Sequence, residues 1–248
     1  MNDIIVPDKD PMGRAIFDFY STGKAAKLRV LSSMFYEDEI PVATLFRSYG
    51  DMPLPEQQAL SLAKGRVLDI GAGAGCHSIE LMRRGHDVVA IDISELSVNV
   101  MRERGVDARP INLFDDTFDE KFDTLLMAMN GVGIVGRVER MEQFFRCVKR
   151  LLTPGGQLLL DSSDIRYIFE NEDGSMDIDL AAGYYGEVDF SMRYKNIKGD
   201  KFDWLYIDFD TLCFYANENG FECEKCVDGE HYDYLARLTR TADKKIPV

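Results

Sequence analysis

The chain has 248 residues, 46% hydrophobic and 29% charged, enough to build one large α/β domain around a full core. Its formal net charge of -14 argues against a nucleic-acid partner, which is gripped mainly by clustered cations on a positive face. No apolar run reaches the ~18–20 residues of a membrane span, and the N-terminus lacks the basic and apolar regions of a secretory signal. No membrane partner is expected, and the cytoplasm is the expected location.

Residues 1–64 read as a helical cap segment. Ile16, Phe17, Phe19 and Tyr20 come first, then Leu28, Val30 and Leu31. After the breaks at Pro41, Pro53 and Pro55, a short helix runs from Pro55 to Gly65. From Arg66 a strict β/α alternation follows. Strand one is Val67–Ile70, and its helix carries Ile79 and Met82 and stops at Gly85. Strand two is Val88–Ile93, with Ser94 as N-cap of the next helix, which ends at Gly105. Strand three, Ala108–Asn112, contains Pro110 and so belongs at an edge. Strand four, Phe122–Met129, is nearly all apolar, as a strand buried on both faces must be. The next helix places Val138, Met141, Phe144, Phe145, Val148, Leu151 and Leu152 on one face. Thr153–Gly156 reads as a tight turn before strand five, Gln157–Asp161.

Beyond Asp161 the pattern changes. Val188, Phe190, Met192 and Tyr194 alternate, and so do Phe202, Trp204 and Tyr206 beyond a turn at 198–200, which predicts an antiparallel hairpin inserted at about 162–207. A helix from Asp208 and a final hairpin, Phe221–Val227 with Tyr232–Arg240, complete the chain. Of the five cysteines, Cys223 and Cys226 fall three apart on a strand, hence on opposite faces. No second pair exists to complete a zinc site, so free thiols and no metal are expected.

The chemistry concentrates at Val67–Gly75, V-L-D-I-G-A-G-A-G, and at Asp92, seventeen residues further on. A strand entering a glycine-rich turn, followed by a strand ending on an acid, cradles an adenosine-containing cofactor. The glycines admit the ligand close to the main chain, and the carboxylate takes ribose hydroxyls. Dinucleotide enzymes prefer G-x-G-x-x-G, but here Gly75 gives G-x-G-x-G and Cys76 stands where the third glycine belongs.

That spacing and the leading V-L-D resemble motif I of the class I S-adenosylmethionine-dependent methyltransferases. The resemblance extends over roughly residues 40–240 and includes Asp92, Asn112-Leu113, F-D-T-L-L-M-A-M-N and L-L-T-P-G-G-Q-L-L-L-D. It implies a Rossmann-like methyltransferase fold of class α/β: a seven-stranded mixed sheet of order 3-2-1-4-5-7-6, last strand antiparallel, helices on both faces and the N-terminal helical cap. Residues 65–248 would form the cofactor-binding domain. S-adenosylmethionine would be the cofactor. Asp69 would hold its methionyl amino group, and Gly71, Ala72 and Gly73 would pass beneath the methionyl and ribose parts. Asp92 would accept the ribose hydroxyls while Ile93 packs on the adenine. Asn112 and the Leu113 N–H would meet the adenine edge, and Asn130 would line the mouth where the methyl group leaves. Arg47, in L-F-R-S-Y, is a candidate partner for the cofactor carboxylate.

Methyl transfer from a sulfonium is an in-line displacement, so alignment and exclusion of water matter most, with a base needed only where the acceptor must lose a proton. Asp161, Asp164, His231 and His77 are the base candidates, and none is assigned as catalytic. Strand four lacks the N-P-P-Y-type signature of many amino-group methyltransferases. The aromatics Tyr184, Tyr185, Phe190, Tyr194, Phe202, Trp204 and Tyr206 either wall a pocket for an apolar or aromatic small molecule or pack the hairpin on the sheet, and a small-molecule acceptor is expected. A protein that binds the nucleoside without turnover, or a nicotinamide-dependent oxidoreductase, are the alternatives. Nothing in the sequence specifies an oligomeric state.

Overall fold

Each strand expected from the β/α alternation is present in the computed structural model, which describes residues 4–171, 173, 175 and 183–241. Residues 172, 174 and 176–182 of the expected insert lie outside the described residues. The N-terminal part contributes α1 (Pro11–Thr22), β1 (Leu28–Ser32), β2 (Asp38–Ile40) and α2 (Leu54–Leu62). The alternation follows as β3 (Val67–Ile70), α3 (Cys76–Arg83), β4 (Val88–Asp92), α4 (Glu95–Glu103), β5 (Asp107–Pro110), β6 (Phe122–Met127), α5 (Met141–Leu151) and β7 (Leu152–Ser163). Then come β8 (Glu187–Tyr194), β9 (Ile197–Lys198), β10 (Phe202–Leu205), α6 (Phe209–Glu218), β11 (Phe221–Asp228) and β12 (Asp233–Arg240).

The main sheet runs β5-β4-β3-β6-β7-β12-β11, the expected order, with β12 antiparallel to β7 and the Pro110 strand at the edge. Period-two alternation divides its side chains between two cores. Leu158 and Leu160 of β7 join α5 and α6, whereas Leu159 faces α2 and α3 on the other side. On α5 the predicted stripe holds: Met141, Phe144, Phe145, Val148 and Leu151 are all fully buried. Burying each such side chain is worth about 1.5–3 kcal/mol, which explains why this helix is legible from spacing alone. Cys223 packs against the first core and Cys226 against the second, so the pair straddles its strand.

Two differences from the sequence reading have physical causes. Thr153–Gly156 is a bulge within β7 rather than a turn ahead of it: the register shift between Phe122 and Thr124 absorbs the extra residues, and Gly155 takes φ +78° to let the chain bend there. The N-terminal segment is helical only in part. Leu28–Ser32 is a strand, and it pairs antiparallel with β8, Leu28 opposite Tyr194 and Val30 opposite Met192. With β2 and β10 it builds a second sheet of order β10-β8-β1-β2, to which β9 adds beside β8. Its neighbour on one side is the short strand β2, Leu28 opposite Ile40, but its longer pairing is with β8, far along the chain, and that partner leaves no local signal. The second sheet is fixed to the main body by α1 and by Trp204, which occupies the space beside Gly133.

Candidate active site

The glycine loop leaves β3 and is fastened to β4: the N–H groups of Gly71 and Ala72 both donate to the Ile91 carbonyl, at 2.9 and 3.2 Å. Gly73 lies at φ +57°, and a Cβ built on it meets nothing within 4 Å, so open space stands over the loop where a ligand can reach the backbone. Asp92 stands beside the loop. Its carboxylate accepts from the Gly73 N–H at 2.9 Å and from the Ser94 N–H at 2.8 Å. Burial pushes its pKa up to about 6, against the lowering effect of those two donors, while the residue keeps partial exposure. Ile93 is exposed beside it, and the Ile5 N–H donates to its carbonyl at 2.9 Å. Asn112 follows β5, its side-chain oxygen accepting from the Phe114 N–H at 2.9 Å, and Leu113 turns its side chain into the core.

Beneath the loop, Asp69 is buried and accepts from the Ser78 hydroxyl at 2.6 Å, burial raising its pKa. Beside it is a buried ionic cluster that sequence reasoning did not assemble. Glu56 accepts from His77 Nε2 at 2.8 Å and from the Arg47 guanidinium. Burial opposes the Glu56 charge, but His77 and Arg47 prevail and hold its pKa below the ordinary value. Burial likewise works against protonated His77, yet the neighbouring Cys76 and Glu56 raise its pKa well above the usual imidazole value. Arg47 is therefore committed to Glu56, while its Nε is buried with no hydrogen-bond partner among the described residues. Glu56 was missed because it reads as an ordinary first-turn acid of α2.

Beyond its last residue, β6 runs into a turn in which Met129 and Asn130 both take positive φ, 64° and 56°. Consecutive non-glycine residues there are strained by roughly 1–3 kcal/mol each and persist only when firmly held. Asp161 holds them, accepting from the Met129 N–H at 2.9 Å and the Gly131 N–H at 3.1 Å. Burial pushes its pKa up to about 7. Asn130 donates to the Leu205 carbonyl at 3.2 Å and accepts from the Ser163 N–H at 3.2 Å, tying the turn to both sheets.

The candidate residues on β3, β4, β5 and β6 thus gather at the C-terminal ends of the parallel strands, where the strand order reverses. Among the base candidates, His77 is paired with Glu56, and Asp164 accepts from Tyr185 and Arg166. His231 is exposed on the last hairpin. Asp161 alone sits at the strained turn. A half-buried aromatic face of the second sheet covers this side: Phe190 packs against Phe35, Phe202 and Tyr206 with ring centroids 6.2–6.4 Å apart. Among the described residues, no helix is long and apolar enough to cross a membrane.

Comparison with known proteins gives concordant results. Residues 67–156 match the family described as a methyltransferase domain. A crystal structure of an S-adenosylmethionine-dependent methyltransferase from Bacteroides fragilis, in complex with S-adenosyl-L-homocysteine, superposes with a TM-score of 0.92 at 58% identity, covering 97% of this chain and 99% of that one. A cypemycin N-terminal methyltransferase from Streptomyces is 35% identical over 40% of this chain and 42% of its own. A ubiquinone biosynthesis O-methyltransferase from Dechloromonas aromatica is 33% identical over 42% of this chain and 47% of its own. The chain thus spans less than half the length of these two curated relatives.

Proposed function

Since this chain belongs to the S-adenosylmethionine-dependent methyltransferases, we propose that it methylates a small-molecule acceptor held between the Met129–Gly131 turn and the aromatic face of the second sheet. S-adenosylmethionine is its cofactor, and the observation that carries the site is the open space over Gly73 beside the partly exposed Asp92 carboxylate. The residues present fit this group: open space over Gly73, a carboxylate for ribose hydroxyls, and a buried guanidinium with a spare donor. When bound, the cofactor supplies a methyl group already activated by its positive sulfur.

This chain's residues then have to bind, orient and keep water out. In this reading Asp92 receives the ribose hydroxyls, Ile93 packs on the adenine, and Asn112 with the Leu113 N–H meets the adenine edge. Asp69 holds the methionyl amino group, and Arg47 offers its spare Nε to the carboxylate. Asn130 and Asp161 fix the turn at the methyl end, so that the acceptor approaches in line. Where the acceptor must lose a proton, Asp161, which accepts from the Met129 and Gly131 N–H groups, is the carboxylate at the turn. Residues 65–248 act as the cofactor domain, with residues 1–64 and the 162–207 insert shaping the acceptor side. The name of the ubiquinone-biosynthesis relative supports a small acceptor.

Calorimetry with S-adenosylmethionine, S-adenosylhomocysteine and NAD tests the cofactor site, with binding expected of the two sulfur compounds only. A metabolite screen with methyl-labelled cofactor tests the acceptor class; label transferred to protein or RNA, and to no small molecule, would refute it.

A further inference from the structure

Two helices meet end to end at the ribose side of the cleft. Asp10, only 2% exposed, caps α1 by accepting from the Gly13 N–H at 2.7 Å. Ser94, 5% exposed, caps α4 by accepting from the Ser97 N–H at 3.0 Å. The two caps are themselves joined, since the Ser94 hydroxyl donates to the second oxygen of Asp10. The Ser94 N–H in turn donates to Asp92, whose other oxygen accepts from Gly73. An unbroken line of hydrogen bonds therefore runs from the first turn of α1 to the glycine loop. There is no slack in it: a Cβ on Gly13 would stand 2.1 Å from an Asp10 oxygen and 2.2 Å from the Ser94 hydroxyl.

A buried carboxylate is costly unless its partners are good, and Asp10 is retained where a neutral cap would close α1 equally well. What a serine or threonine at position 10 would not provide is a second, charge-assisted acceptor for Ser94. With its single proton committed to Asp10 and its lone pairs to Ser97, the Ser94 side chain has one orientation, and its backbone N–H is aimed at Asp92 accordingly.

We propose that Asp10 is a positioning residue for cofactor binding: it locks Ser94 and thereby sets the orientation in which Asp92 meets the ribose. The proposal rests on the ribose role given to Asp92 above. It makes the N-terminal segment part of the cofactor site without touching the cofactor, in a stretch of chain well before the matched 67–156 domain.

A double-mutant cycle tests it, with S-adenosylhomocysteine as probe and calorimetry as readout. Asp10→Ala should weaken binding about tenfold in the native background and less than about twofold in an Asp92→Asn background, because the lever has lost its load. Asp10→Asn keeps an acceptor for Gly13 and so preserves the α1 cap, but weakens the link to Ser94. It should stay folded and show the same dependence on Asp92 with a smaller loss. A lowered melting temperature with unchanged affinity, or equal losses in both backgrounds, would overturn the proposal and leave Asp10 a structural cap. If Asp92→Asn alone leaves binding unchanged, it is the ribose assignment that fails, a result distinct from either.

Discussion

Asp92 accepts two backbone N–H bonds and still offers surface to the cleft. Replacing it by alanine removes charge-assisted hydrogen bonds, and cofactor affinity is expected to fall by about 1–3 kcal/mol, measurable by calorimetry. Its pKa also sets a pH dependence. In the ribose role proposed for it, Asp92 accepts as the ionised carboxylate, so affinity should decline as pH is lowered through about 6. Stability of the cofactor-free protein runs the other way. Asp92 and Asp161 bind their protons more tightly folded than unfolded, with pKa values of about 6 and about 7 against an ordinary 3.8. The stabilisation they give is full below about 4 and lost as pH rises through 6 to 7. Urea midpoints at pH 5.5 and 8 should show this fall, and Asp161→Asn should flatten it. Arg47→Ala strips a buried carboxylate of a partner, and about 3–5 kcal/mol of stability should go with it. Denaturation curves check this, and a midpoint unchanged from native would refute the buried-pair account.

Elements differ in how plainly they were written in the sequence. The stripe on α5 and the loop between β3 and α3 depend on neighbours within a few residues, so spacing reveals them. The first strand of the second sheet does not. Leu28 and Val30 are compatible with either period until Tyr194 and Met192 are beside them. The same holds in the site. Gly71–Gly73 and Asp92 follow from motif and spacing, whereas Glu56, His77 and Arg47 converge from three separate elements and carry no shared pattern. The junction of β10 with the turn after β6 is testable directly. A Cβ on Gly133 would come within 2.0 Å of the Trp204 ring, so Gly133→Val should push β10 outward at about 1–3 kcal/mol of overpacking cost. Trp204 is the only tryptophan, and its emission should shift to the red as the ring loses its seat. Methyl-transfer rates should fall with it, and more than S-adenosylhomocysteine affinity, since Gly73 and Asp92 do not touch Trp204.

At the scale of the molecule, the acidic charge agrees with the small-molecule acceptor proposed above. With a net charge of -14, little affinity for tRNA or duplex DNA is expected at ~0.15 M salt, where phosphate contacts must be supplied by clustered cations. Fluorescence anisotropy with labelled RNA checks this. Micromolar binding at that salt would reopen the question of the acceptor.

The second sheet joins the chain's beginning to its last third, since β1 and β2 pair with each other and β1 with β8. During synthesis the first two strands therefore leave the ribosome well before the strand that completes their sheet exists, and loop closure over that span is slow compared with local helix formation. The parallel strands β3 to β6 can begin to assemble in the interval, while the main sheet is completed only by β11 and β12, which are made after β10. A nascent chain arrested after α5 would accordingly hold the glycine loop and Asp92 without β8 and β10, the strands that carry Phe190, Phe202 and Trp204.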